Sequence, residues 1–137
     1  MQYYQAKEKK IRGTDFKEVY KKCRKLYNEI EKKSKRRPYV RSRYFAKSKI
    51  FLGLFWQHIF EKNNYGDQMR RMQYLPCAIE LIQNSHFNPT SKENPNRKSE
   101  ILHRFHGQTA IKEVFIVQIK EDMKSGEKFL ISVFPSG

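Results

Sequence analysis

The apolar residues of this chain change their period partway along, and that change constrains the fold more than any other feature. Phe16, Val19, Tyr20, Cys23, Leu26, Tyr27 and Ile30 are spaced by three and four, which places all of them on one face of a helix. Asp15, three residues ahead of Glu18, supplies a capping pattern at the start of that helix, and Pro38 disfavours helical geometry just before it. In the last third the period is two. Residues 100–106 alternate, 114–120 are rich in β-branched side chains, and 129–134 follow a polar turn containing Ser125–Gly126. The last two segments predict an antiparallel hairpin. Helices first and strands last predict an α+β fold, with N-terminal helices packed on a small C-terminal antiparallel sheet.

Between these regions, residues 48–62 carry Ile50, Phe51, Leu52, Leu54, Phe55, Trp56, Ile59 and Phe60. They read as a helix apolar nearly all round, hence central and buried. Asp67 opens another helical piece with Met69, Met72 and Leu75 inward, and Pro76 stands at the first turn of a further one, 77–83. Residues 85–99 turn to Asn, Pro, Ser and Lys and read as a loop, long for a compact domain. Residues 1–13 read as charged and loosely held. At 137 residues the chain suits one domain with a real core.

The charge is lopsided. The chain holds 29 Lys and Arg against 14 Asp and Glu, a formal net of +15. Residues 1–50 contain 18 basic and 5 acidic residues (+13), whereas 51–137 contain 11 and 9 (+2). Such an excess repels itself, and a polyanionic partner relieves it, so a nucleic acid is expected, RNA before DNA. The contacts expected for it are Lys21, Lys22, Lys25, Arg36, Arg37, Arg41, Arg43, Lys47, Lys49 and Arg71. Within 39–49 basic residues alternate with Tyr39, Tyr44 and Phe45. Those rings either stack on unpaired bases or cover the core.

Cys23 and Cys77 stand alone without zinc-ligand spacing and read as reduced core residues. The first ten residues form no secretory apolar region, and 50–60 is too short to span a bilayer, so a cytoplasmic location and no membrane partner are expected. Acidic residues are few and unclustered, which argues against a two-metal site, and no phosphate-loop, dinucleotide or nucleophile-elbow motif is present. Neither a metal nor a cofactor is expected.

Metal-free RNA cleavage needs a base for the ribose 2′-hydroxyl, cations for the charged phosphorane and an acid for the leaving oxygen. Histidine, arginine and hydroxyl groups suffice. On a strand Arg104 and His106 share one face while His103 and Phe105 share the other, so Arg104 and His106 are candidates and His103 reads as packed. His58, on an otherwise apolar segment, is either a satisfied core histidine or a proton carrier. Ser132, the polar residue inside 129–134, either faces solvent or aims at phosphate. The predicted site is therefore the convergence of His58, Arg104, His106 and Ser132, with Arg71 or Lys49 beside it. The bland alternative buries His58 and pairs Arg104 with Glu100.

Several segments taken in order carry a resemblance: Arg71–Met72–Gln73–Tyr74–Leu75–Pro76 entering Ala78–Ile79–Glu80–Leu81–Ile82, a Pro-containing loop, Glu100–Ile101–Leu102–His103–Arg104–Phe105, then Phe115–Ile116–Val117–Gln118–Ile119–Lys120 and Leu130–Ile131–Ser132–Val133–Phe134–Pro135. Their order over 45–137 resembles the phage- and mobile-element-borne branch of the barnase/EndoU/colicin/RelE-like nuclease superfamily. The resemblance implies a nuclease domain at 45–137 joined in one compact unit to a basic helical front and arm at 1–44. It further implies a metal-independent ribonuclease, often a toxin held by an antitoxin or immunity protein. His58 matches a histidine late in the family's first helix, and Ser132 matches a Ser or Thr on its last strand. A non-catalytic RNA- or DNA-binding protein is the alternative expectation.

Overall fold

The computed structural model describes residues 2–61 and 64–136. In chain order its elements are β1 (Tyr4–Gln5), α1 (Phe16–Lys33), β2 (Tyr39–Ser42), β3 (Ser48–Phe51), α2 (Gly53–Ile59), α3 (Tyr65–Gln73), α4 (Leu75–Asn84), β4 (Thr90–Asn94), β5 (Arg97–Gln108), β6 (Val114–Asp122) and β7 (Lys128–Pro135). The seven strands make one sheet in the order β1-β5-β6-β7-β3-β2, with β4 also paired to β5.

This corrects the expected architecture. The fold is α+β, but the sheet is large and mixed rather than small and antiparallel, and three strands precede the middle helices. β1 runs parallel to β5, and β3 runs parallel to β7. The expected helix over 48–62 is split: α2 covers Gly53–Ile59 alone, and Lys62 lies outside the described residues. Residues 48–51 pair with β2 as a hairpin, because Val40, Ser42 and Ile50 alternate inward while Tyr39, Arg41, Lys49 and Phe51 point the other way. A short apolar run fits either period, and here pairing decided it. The turn of that hairpin holds Ala46 and Lys47 at φ of 53° and 68°. The expected loop at 85–99 also yields β4, an edge strand whose exposed side chains leave no apolar alternation to read.

The helix α1 forms where its stripe demands. Asp15 accepts from the Glu18 backbone N–H at 2.9 Å, and Val19, Cys23 and Tyr27 are buried. Burial alone pushes the Cys23 thiol up to about 12, so it is a core group. Helix α2 buries Phe55 and Ile59, and its Trp56 stacks on Tyr27 at 4.9 Å. The most deeply buried helix is α4, with Leu75, Cys77, Ala78, Ile79, Leu81 and Ile82 inside. The helices meet Phe105, Phe115, Val117, Ile119, Leu130 and Val133 on one face of the sheet, the inner face. Gly107 lets the Phe115 ring lie against its backbone, since a Cβ there would sit 2.4 Å from that ring.

The N-terminal segment is tied down by one carboxylate. Glu80 of α4 accepts from the Tyr4 hydroxyl and from the backbone N–H groups of Lys7 at 2.9 Å and Glu8 at 2.6 Å. Burial works to raise its carboxyl, but the hydrogen bonds from Tyr4, Glu8 and Lys7 outweigh it and hold the group below the usual range. No helix among the described residues is long and apolar enough to cross a membrane.

Candidate functional site

A short parallel contact sets the site. β3 pairs with β7 only through Ile50–Lys128 and Phe51–Phe129, after which the chain leaves the sheet and α2 packs alongside the rest of β7. There β7 carries a bulge. Gln118 opposes Ser132 and Ile119 opposes Leu130, so Ile131 is the extra residue. Leu130 and Val133 both point into the core across this bulge, and Ile131 and Ser132 are left side by side facing outward.

Between α2, α3 and this bulge lies a cleft of about 220 Å³ lined by Phe55, His58, Glu61, Asp67, Arg71 and Ser132, among others. Phe55, Ile59 and Ile131 supply its apolar lining, and His58, Glu61, Asp67, Arg71 and Ser132 its polar groups. Arg71 is fixed by both arms of its fork: Nε donates to Asp67 Oδ2 at 2.8 Å, and Nη1 donates to Ser132 Oγ in a short hydrogen bond. Asp67 and Arg71 are i and i+4 on α3, so one helix positions both. Because Ser132 Oγ accepts from Arg71, its own proton remains to donate to a ligand. His58 is exposed at the cleft rather than packed in the core.

Arg104 stands on the same side of the sheet as Ser132. One cross-strand row runs Thr90, Arg104, Gln118, Ser132 over β4, β5, β6 and β7. Arg104 Nε donates to Gln118 Oε1 at 3.1 Å, and its guanidinium lies 5.8 Å from the Phe134 ring, which Arg71 approaches to 5.5 Å. Two guanidinium groups therefore flank one ring at the cleft's edge. Glu100 is not the partner of Arg104; it accepts from Asn94 and Arg97 instead.

His58, Ser132 and Arg71 are thus brought together, with Arg104 adjoining. His106 is not in the cleft. It lies one row further along β5, opposite Ile116, with its ring 6.1 Å edge-on from Tyr3. Burial holds this imidazole below the ordinary histidine range, and its Nε2 has no hydrogen-bond partner among the described residues. His103 is the packed histidine: Nδ1 meets Ser91 Oγ at 2.6 Å and Nε2 meets Glu121 at 2.9 Å.

The expected phosphate contacts divide among several surfaces. Lys21, Lys22 and Lys25 line an open groove along α1, where Lys22 also pairs with Glu18 at 3.1 Å. Arg43 caps the Asn84 carbonyl at 3.1 Å, and Lys47 sits in the hairpin turn. Arg36, Arg37 and Lys49 gather around Tyr39 and Phe51, and Arg41 lies 5.5 Å from the Tyr39 ring. Lys49 is therefore on this patch and does not line the cleft.

Sequence reasoning missed Asp67, Glu61 and Gln118 as site residues, and of the aromatic row Tyr39–Phe51–Phe129 it offered only Tyr39. The Asp67–Arg71 spacing was a readable helical pair. Gln118 was not readable as a partner, since it matters only through the register of β6 on both neighbours. Among the described residues no group of three or more His, Cys, Asp and Glu is placed to hold a metal ion. Compared with known proteins, the chain matches no protein-family model, no curated protein and no solved structure.

Proposed function

We propose that the protein is a metal-independent endoribonuclease of the barnase/EndoU/colicin/RelE kind, acting at the α2–α3–β7 cleft. The observation that carries this reading is an exposed imidazole, His58, in one cleft with a guanidinium locked by two hydrogen bonds. In the reaction the ribose 2′-oxygen attacks phosphorus and the bond to the 5′-oxygen breaks, leaving a 2′,3′-cyclic phosphate and a free 5′-hydroxyl. His58 and Glu61 are the groups able to take the 2′-proton and return one to the leaving oxygen. Arg71 and Arg104 face the charge that builds on the phosphorane, and Arg71 needs no reorganisation to do so. Ser132 donates to a phosphate oxygen while it steadies Arg71.

The substrate class is RNA, tRNA or another structured RNA included, and the cytoplasm is the compartment proposed for it. An antitoxin or immunity protein with an acidic surface is the matching partner, since it would cover the same cations. The test is incubation of the purified protein with total RNA in EDTA, followed by mapping of new ends. Cyclic phosphate ends that vanish in a His58→Gln variant are the expected result. Cleavage that requires added Mg²⁺, or none at all, would overturn the reading. A non-catalytic nucleic-acid-binding protein is the second reading, favoured by the number of cations that lie away from the cleft.

A further inference from the structure

The outer face of the sheet, opposite the core, carries a second ordered row. Register places Tyr39 of β2, Phe51 of β3, Phe129 of β7 and Lys120 of β6 side by side. The Tyr39 and Phe51 rings are 6.2 Å apart, and the Phe51 and Phe129 rings 6.0 Å apart. All three rings are only partly buried, and none belongs to the hydrophobic core. Each has a cation on it: Lys49 Nζ is 4.7 Å from Tyr39, the Arg37 guanidinium 3.8 Å from Phe51, and Lys120 Nζ 5.3 Å from Phe129. This row lies next to the Ser132–Gln118–Arg104 row, two residues away along β6, a separation of about 7 Å.

We propose that this face is a track for an unpaired RNA strand, which makes single-stranded segments the substrate class of the cleft. The proposal rests on the nuclease reading only for where the track leads. The ring planes are inclined, Tyr39 to Phe51 by 71° and Phe51 to Phe129 by 39°, so each takes its own unstacked base; every base has a face to stack and no sequence need be read. Duplex RNA hides those faces and offers phosphate and ribose instead. The cations match the backbone that accompanies the bases, although Arg37 pairs with Glu127 at 2.6 Å and Lys120 with Glu100 at 3.6 Å; Arg37, still 55% exposed, is itself a plane on which a base can stack. A strand with one base on the Arg37 plane above Phe51 and the next on Phe129 lays its following phosphate beside Arg71, Ser132 and Arg104.

Binding should be measured by fluorescence anisotropy at physiological ionic strength. The probes are a 2′-O-methyl oligouridine, which cannot be cut, and a blunt 2′-O-methyl duplex of equal charge. The variant is Tyr39→Leu/Phe51→Leu/Phe129→Leu, which keeps every cation; circular dichroism checks its fold, and each single Leu variant is measured alongside. Intact protein should prefer the single strand. Removing each ring should weaken that binding about five-fold or more while duplex binding stays level. Equal single-strand affinity in the single variants, a preference for duplex, or displacement of the oligonucleotide by polyglutamate at lower charge concentration would overturn the proposal. The last result would mark the face as a protein-docking surface. Cleavage in EDTA is scored separately. Ring-dependent binding without cleavage removes the nuclease reading and keeps the track, whereas cleavage without ring dependence removes the track alone.

Discussion

Replacing Arg71 by lysine keeps the charge at the cleft and removes the fork. The guanidinium meets Asp67 through Nε and Ser132 through Nη1, and it lies near Phe134. A lysine ammonium is a point charge and can satisfy one of these at a time. With side-chain exposures of 22% for Arg71 and 28% for Asp67, the pair is partly shielded from water. Losing a charge-assisted hydrogen bond there should cost about 1–2 kcal/mol of stability, below the figure for a fully buried one. The effect on RNA cleavage should be larger. A fixed donor facing the phosphorane is of the kind whose removal lowers kcat by about 10²–10³-fold. Urea unfolding gives the stability change, and initial rates on RNA in EDTA, corrected for the folded fraction, give the activity. Arg71→Met removes the charge as well and should be slower still. An Arg71→Lys enzyme less stable by the expected amount but as fast per folded molecule would show that Arg71 only braces α3 against β7.

Three further outcomes are expected. Glu80→Ala should lose about 1–3 kcal/mol at neutral pH by releasing Tyr4 and the backbone of Lys7 and Glu8. Because the folded carboxyl is held low, that contribution is full above the unfolded value of about 4.3 and disappears as pH falls through the folded value. A mutant penalty in urea midpoints that fails to shrink in acid would contradict this. Gly107→Ala should cost about 1–3 kcal/mol, since its methyl would press on the fully buried Phe115 ring at 2.4 Å; an unchanged urea midpoint would disprove that packing. Reversing Lys21, Lys22, Lys25 and Arg36 to Glu should weaken RNA binding and reduce the log–log salt slope by about 0.7 for each single-strand phosphate that is no longer neutralised. An unaltered slope would take the α1 face out of the interface.

What the amino-acid sequence determined by itself was local. The helix α1 was legible because its cap and its seven-residue stripe agree, and the β6–β7 hairpin because β-branched runs flank a Ser-Gly turn. The candidate side chains were legible by chemical type, as polar groups on apolar elements: His58 on α2 and Ser132 on β7. Tertiary structure decided the rest. The parallel pairs β1–β5 and β3–β7 join segments about a hundred and about eighty residues apart. No local period encodes such pairing. Residues 48–51 became a strand only because β2 and β7 flank them, and β4 because the edge of β5 was open. The bulge at Ile131 exists only against a partner strand, yet it turns Ser132 toward the cleft. His58 lines one cleft with Arg71 and Ser132 because two residue pairs between β3 and β7 deliver α2 to the edge of β7. Residue chemistry is local, but convergence depends on strand register, and register is settled by long-range burial of one face against another.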